Sequence, residues 1–325
     1  MRIAIIGAGI NGLYLAFKLS KDGHKVSVFE RKKEIGNEAC SGLFSQRILD
    51  FLPQSKELIK NRINYTLIHF PQKTIRVDFN KEFLVMDHAE LDKVVFSLAK
   101  EAGAEIFLNY NINEIPQGFD KIIGCDGPLS FVRKTLGLKD PKYRLGILGF
   151  VRDPLPAGQA GASYNFVETW PVRQGFIWKI PRGENIEYGI LAEPKEAKKL
   201  LGEFLKNNNI ILEDLRAKIV PQGLIIPDNN SITLSGDSAG LTKPWSGGGV
   251  VWQLDLADIL LKTFPDFKKY QREAKIKMGI NFFISKIIVK LIYFFGFNFP
   301  WILPSKIKMD SDYLFCYNKK NEKHS

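Results

Sequence analysis

The chain opens on an apolar run, Arg2 to Ile6, followed by the glycine-rich stretch Gly7 to Gly12, a helical pattern from Leu13 to Lys21, and a second apolar run from Lys25 that ends in the carboxylate of Glu30. Strand, turn, helix and strand in that order predict a βαβ unit and a parallel sheet. Asn64 to Phe70 and Thr74 to Phe79 alternate apolar and polar residues on either side of a turn containing Pro71, which predicts an antiparallel hairpin. Helical spacing returns from Glu90 to Ala102, and strand-like runs follow at Glu105 to Asn109 and Lys121 to Gly124. Several short β-like runs punctuated by Gly and Pro lie between Leu145 and Ala192. A helix near Lys195 to Lys206, a parallel-type strand at Ile232 to Leu234 and a helical run from Val250 to Lys262 complete the pattern. Parallel strands interrupted by antiparallel ones predict an α/β chain, a Rossmann-like nucleotide domain interleaved with an antiparallel β-sheet substrate domain. The expected divisions are residues 1–62, 84–140 and 219–262 for the nucleotide domain and 63–83 and 141–218 for the sheet domain. A short, basic and apolar helical segment, 263–325, forms the C-terminus.

At 325 residues, with 45% hydrophobic and 25% charged residues, the chain has ample material for a large core, and a disordered or collagen-like class is excluded. Charge changes the picture at one end. From Lys262 to Ser325 there are thirteen basic and five acidic residues, so +8 of the net +11 belongs to the tail and +3 to everything before it. Within it, Ile280 to Pro304 is dense in Phe, Ile, Leu, Tyr and Trp, and Lys286 and Lys290 lie four apart on one side of a helix. The uncharged run Leu291 to Leu303 contains Gly296 and Pro300. That is shorter and more interrupted than the roughly 18–20 apolar residues of a spanning helix. The segment is expected to be an interfacial helix, a lid over an apolar cavity, or the core helix of a subdomain. Basic residues interleaved with apolar ones, without a recognition motif, argue against nucleic acid.

Cys40, Cys125 and Cys316 are too scattered for a disulfide framework, and His24, His69, His88 and His324 lack ligand spacing, so no metal site is expected. A reducing cytoplasm suits free thiols. The apolar start passes straight into a glycine turn and reads as a strand and not as a secretory leader.

Three glycine motifs carry the chemistry. The first is Gly7-x-Gly9-x-x-Gly12 between a strand and a helix, with Glu30 eighteen residues beyond. Its glycines permit a tight turn and close backbone approach, the helix N-terminus faces pyrophosphate, and the acid accepts from ribose hydroxyls. The second is Gly124-Cys125-Asp126-Gly127, with Ser130 and Arg133 after it. The third is Gly236-Asp237-Ser238-Ala239-Gly240, then Pro244 and Gly247-Gly248-Gly249. An aspartate at a strand end can bind a sugar hydroxyl while the small residues after it turn backbone amides toward a phosphate or ring edge.

Together these motifs resemble the para-hydroxybenzoate-hydroxylase-like FAD-dependent oxidoreductases. Within them Ala39-Cys40-Ser41-Gly42-Leu43, Phe176-Ile177-Trp178-Lys179-Ile180-Pro181-Arg182 with Gly189, and Pro244 with its three glycines resemble the geranylgeranyl reductase family most closely. The resemblance implies that FAD is held by Gly7, Gly9, Gly12, Glu30 and Arg31, by Asp126 and Gly127, and by Gly236, Asp237, Ala239, Gly240, Pro244 and Gly247 to Gly249. It implies a catalytic Cys40 beside the flavin and a prenyl-chain tunnel lined by Phe176, Trp178 and Trp245. The implied activity is saturation of carbon–carbon double bonds in a prenyl lipid, with NADPH or an electron-donor protein such as ferredoxin as the source of electrons. The expected location is cytoplasmic and peripheral, at an anionic membrane surface. An aromatic or quinone monooxygenase on the same scaffold, and a degenerate FAD-binding protein that docks on membranes, remain alternatives. The resemblance departs at His88, where the superfamily usually has an arginine that contacts FAD.

Overall fold

Two sheets organise the chain, whose computed structural model describes residues 1–36, 40–152 and 164–314. The first is a five-stranded parallel sheet in the order Ile232–Leu234, Lys121–Gly124, Arg2–Ile6, Lys25–Phe29, Glu105–Phe107. Its central strands are near-continuous apolar runs, as strands covered on both faces must be. The helices Ile10–Lys21, His88–Glu101 and Val250–Thr263 pack with it in one core that contains Ile3, Ile5, Leu13, Val95 and Trp252. This is the Rossmann-like half, and its strands fall where the apolar runs predict them.

The second sheet has nine strands and is mixed, where the alternation suggested an antiparallel one. Asn61–Phe70 and Lys73–Val85 form the expected hairpin, longer than the alternating runs and bulged between Ile63 and Tyr65. Asn61–Phe70 also pairs in parallel with Phe166–Val172. The two are separated by a long stretch of chain that passes through the first sheet, so no tight turn constrains their relative direction. Leu43–Ser45, within the stretch assigned to the nucleotide half, joins this sheet on Lys73–Val85.

The C-terminal segment is more than helical. Phe267–Ala274, the π turn Lys275–Gly279 and Ile280–Asn298 follow one another without interruption, and Gly296 does not break the last. A Cβ there would come within 2.1 Å of the Phe70 ring, so glycine lets the helix lie close on the second sheet. Tyr293 Oη donates to the carbonyl of Gly175 at 2.8 Å from the same face. By length and composition Phe267–Asn298 suffices to cross a membrane, which the run Leu291 to Leu303 alone did not suggest. After it the chain turns back and Lys306–Met309 adds a parallel edge strand beside Arg76 to Phe79. Asp312 then enters the interior: it is fully buried, pairs with Lys243 Nζ at 2.5 Å and accepts from Ser45 Oγ at 2.5 Å, while its carbonyl accepts from Trp252 Nε1 at 2.9 Å.

Candidate active site in the cleft between the two sheets

A cleft of ≈560 Å³ is lined from both sheets, and the three glycine motifs meet in it. Gly7 has φ +103°, and a Cβ on it would stand 2.3 Å from the carbonyl oxygen of Cys125. Gly9 has ordinary dihedrals and nothing within 4 Å of where its Cβ would be, so it leaves open space at the start of the helix Ile10–Lys21. That helix has no side-chain cap, so its first N–H groups and the partial positive charge of the helix end face the cleft. Glu30 accepts from Ala8 N–H at 2.7 Å and Lys32 N–H at 2.9 Å, which orients it and leaves lone pairs for a ligand's hydroxyls.

In the second motif Gly127 (φ +84°) is open to the cleft. Asp126, expected to hold a sugar hydroxyl, accepts from Ser130 Oγ at 2.6 Å and Val132 N–H at 3.1 Å, so it shapes its own loop. In the third, Gly247, Gly248 and Gly249 line the cleft and lead into the helix Val250–Thr263, which also starts without a side-chain cap. Asp237 accepts from Gln253 Nε2 at 2.6 Å and faces Lys218 Nζ at 3.3 Å. Asn11 donates to the carbonyl of Gln253 at 2.9 Å and so fastens the first motif to the third. Arg31 lines the cleft, whereas Gly12, Ala239 and Gly240 lie behind its surface; a Cβ at Gly12 would be 2.1 Å from the Gly7 oxygen. Two uncapped helix starts, open space at Gly9 and Gly127 and an oriented carboxylate suit a dinucleotide, and the cleft fits FAD on that ground.

At the cleft wall stand Cys40, His88 and Asp92. His88 begins the helix His88–Glu101, which Asp87 caps through Ala89 N–H, and its Nε2 lies 3.4 Å from Asp92 Oδ1 one turn on. Burial raises the Cys40 thiol, but the His88 imidazole, the Gly42 N–H and Lys218 outweigh it and hold the thiol below its ordinary value. Burial lowers His88, and Cys40 and Asp92 reverse this and hold it well above its ordinary value. The histidine that stands at position 88 thus lowers the thiol and is itself raised by it.

The Cys40 loop is fixed from the second sheet. Arg182 donates to the carbonyls of Ser41 at 2.8 Å and Met86 at 3.2 Å and lies 3.7 Å from the buried carboxylate of Glu187. Glu187 in turn accepts from Trp178 Nε1 at 2.7 Å, which sets the indole in the cleft wall. Phe176, Pro244 and Trp245 are placed elsewhere: they line a second cavity beside the cleft.

Sequence reasoning missed Asn11, Gln253, Asp92, Arg182 and Glu187 as supports of the site. Only His88 and Asp92 carried a local signal, their spacing of four on a helix. Cys316 and His324 lie outside the described residues.

Residues 5–54 match the family model of an NAD(P)-binding Rossmann-like domain. Over 289 residues the chain is 25% identical to the digeranylgeranylglycerophospholipid reductase of Methanococcus vannielii, covering 78% of this chain and 74% of that protein. A geranylgeranyl bacteriochlorophyll reductase-like protein from Thermoplasma acidophilum superposes with a TM-score of 0.75 at 19% identity over 90% of this chain and 87% of the other. A halogenase in complex with phloroglucinol and FAD shares the fold at a TM-score of 0.69 and 14% identity, over 92% and 77% of the two chains.

Proposed function

We propose that this chain, an FAD-dependent oxidoreductase of the geranylgeranyl reductase family, saturates carbon–carbon double bonds of a prenyl chain carried on a membrane lipid or its precursor. The observation that carries this reading is one cleft in which dinucleotide motifs, the Cys40–His88–Asp92 cluster and an apolar wall of Leu148, Trp178 and Leu191 come together. Relatives named for reduction of digeranylgeranylglycerophospholipids support it.

FAD, when bound and reduced, supplies a hydride to one alkene carbon. The other carbon needs a proton, and an alkene offers no polar handle by which to bring its own. Cys40 and His88 share one proton at the cleft wall, with Asp92 stabilising the imidazolium side of the pair, so that His88 is the group placed to hand it on. Arg182 holds the Ser41 carbonyl, and with it the sulfur, in register with the wall. Trp178, Leu148 and Leu191 exclude water and align the chain by shape, the only specificity an unfunctionalised alkene permits. NADPH or ferredoxin is the electron donor that the family pattern allows.

The helix Phe267–Asn298 fits a lipid substrate. Its outward face presents Ile276, Ile280, Phe283, Ile287, Leu291 and Phe294, Phe283 being 63% exposed, and Trp301 beyond it is 69% exposed. Lys275, Lys277, Lys286 and Lys290 lie on the same continuous helical run. An apolar stripe on a lysine-bearing helix suits peripheral binding to an anionic membrane surface.

The test is anaerobic. Protein reduced with dithionite is mixed with a geranylgeranyl lipid, and flavin reoxidation is followed together with product mass. Reoxidation with a gain of two mass units per double bond is expected, and Cys40→Ser should keep its flavin and slow this step at least about a hundredfold. Reoxidation only on admission of air would point to a monooxygenase, and turnover unchanged in Cys40→Ser would remove the sulfur from the chemistry.

A further inference from the structure

The second cavity, ≈680 Å³, shares a wall with the cleft. Leu191 lines both, and on the strand Gly175–Pro181 Trp178 faces the cleft while Phe176, its ring 5.8 Å away and paired in register with Leu191, lines the second cavity. Arg144, Arg173 and Lys290 line it together with Trp245 and Tyr293, and among the described residues neither Asp nor Glu does. Lys142 and Lys286 add to the charge: burial, and then the fields of Lys142, Lys290 and Arg144, hold Lys286 below its ordinary value. Among the described residues none of these five cations forms an ion pair. Cations gathered without acids repel one another, and an anion bound among them would relieve that repulsion.

The surroundings say what kind of anion. One wall is aromatic and apolar, and Phe294 and Phe297 belong both to this cavity and to the exposed face of the C-terminal helix. The cavity therefore opens where an amphiphile would enter, with cations for its head and the apolar side chains of Phe176 and Leu191 at the wall it shares with the cleft. We propose that this cavity binds the phosphate-bearing headgroup of the prenyl lipid, through Arg144, Arg173 and Lys290, with the chain directed into the cleft. This deepens the reductase reading and rests on it.

Binding is measured apart from turnover, on the oxidised FAD-loaded protein, by calorimetric titration in detergent with geranylgeranyl monophosphate, geranylgeraniol and inorganic phosphate. The monophosphate should bind at least about tenfold tighter than the alcohol, an advantage that shrinks as salt rises. The double variant Arg144→Gln, Lys290→Gln should lose that advantage and bind the alcohol as before, which also reports an intact fold. Should the double variant fail to fold, Arg173→Gln, at an exposed position, should lose part of the same advantage. Equal affinity for alcohol and monophosphate, or a preference undiminished in the variants, would overturn the headgroup site. Inorganic phosphate displacing the lipid at comparable concentration would reassign the cations to free phosphate and overturn it too. Phosphate preference without chain reduction in the anaerobic assay would uphold the headgroup site and sink the reductase reading, and the reverse pair of results would do the opposite.

Discussion

The helices Val250–Thr263 and Ile280–Asn298 are both strongly apolar, yet the chain uses them in opposite ways. The first buries nine of its fourteen residues, Trp252 fully, and its N-terminus points into the cleft. The second, nineteen residues long, buries only Ser285 and Gly296 and exposes Ile280, Phe283, Ile287, Phe294 and Phe297. Two sequences of similar character thus meet different solvents, protein in one case and, in the proposed function, lipid in the other. Apolar density states that water is to be avoided; the partner that replaces water is set by what the rest of the fold brings alongside.

The sharpest test of this contrast is truncation on each helix. Trp252→Ala removes a fully buried ring and its hydrogen bond to the Asp312 carbonyl, and should cost about 3–5 kcal/mol in equilibrium unfolding. Loss of less than about 1 kcal/mol would mean that this helix is not the core element its burial indicates. On the outer helix, Phe283→Ser with Ile287→Ser should leave unfolding within about 0.5 kcal/mol per site. The same pair should weaken cosedimentation with phosphatidylglycerol vesicles by about 1.5–3 kcal/mol per side chain. Unchanged vesicle binding with a fall in stability would reverse the comparison.

A smaller effect probes a charged side chain in the interior. Glu187 is fully buried; desolvation pushes its carboxyl up to about 7 from 4.5, against the opposing pull of Arg182 and the Trp178 hydrogen bond. The native state then holds this proton more tightly than the unfolded chain. Its stabilising effect is complete below pH 4.5 and is lost as pH rises through about 7. Glu187→Gln, which keeps an oxygen for Trp178, should flatten that decline, a difference on the order of 1–3 kcal/mol between pH 5 and pH 8 in urea unfolding. Parallel pH profiles for the two proteins would show that the carboxyl is not protonated in the folded state.

What could be read beforehand follows chain distance. Gly7, Gly9, Gly12 and Glu30 were legible because a strand, a turn, a helix start and an acid sit within one βαβ unit, and local geometry ties each residue type to its task. The strands of the first sheet were legible for the same reason. The mixed character of the second sheet was not, since its parallel pairs join segments with no short connection. Nor were the supports of the site. Arg182 reaches Ser41 across 141 positions, and Lys243 reaches Asp312 across 69. Asp126 read as a ligand residue, and the fold also uses it within its own loop, where it accepts from Ser130 and Val132 while lining the cleft; a carboxylate at a strand end has the same sequence signature whether it turns outward or caps the next helix.

By itself the sequence determined that a dinucleotide half exists, where its turn lies, and that the C-terminal end is basic and apolar. These are properties of composition and of contacts a few residues long. Only the tertiary structure decided that His88 and Asp92 charge the Cys40 site, that Phe176 and Trp178 serve two different cavities, that five cations gather without a counterion among the described residues, and that one apolar helix goes inside while the other lies on the surface. Each depends on which distant segments share space, and hydrophobic burial, which is non-directional, leaves that choice to the packing of the whole chain.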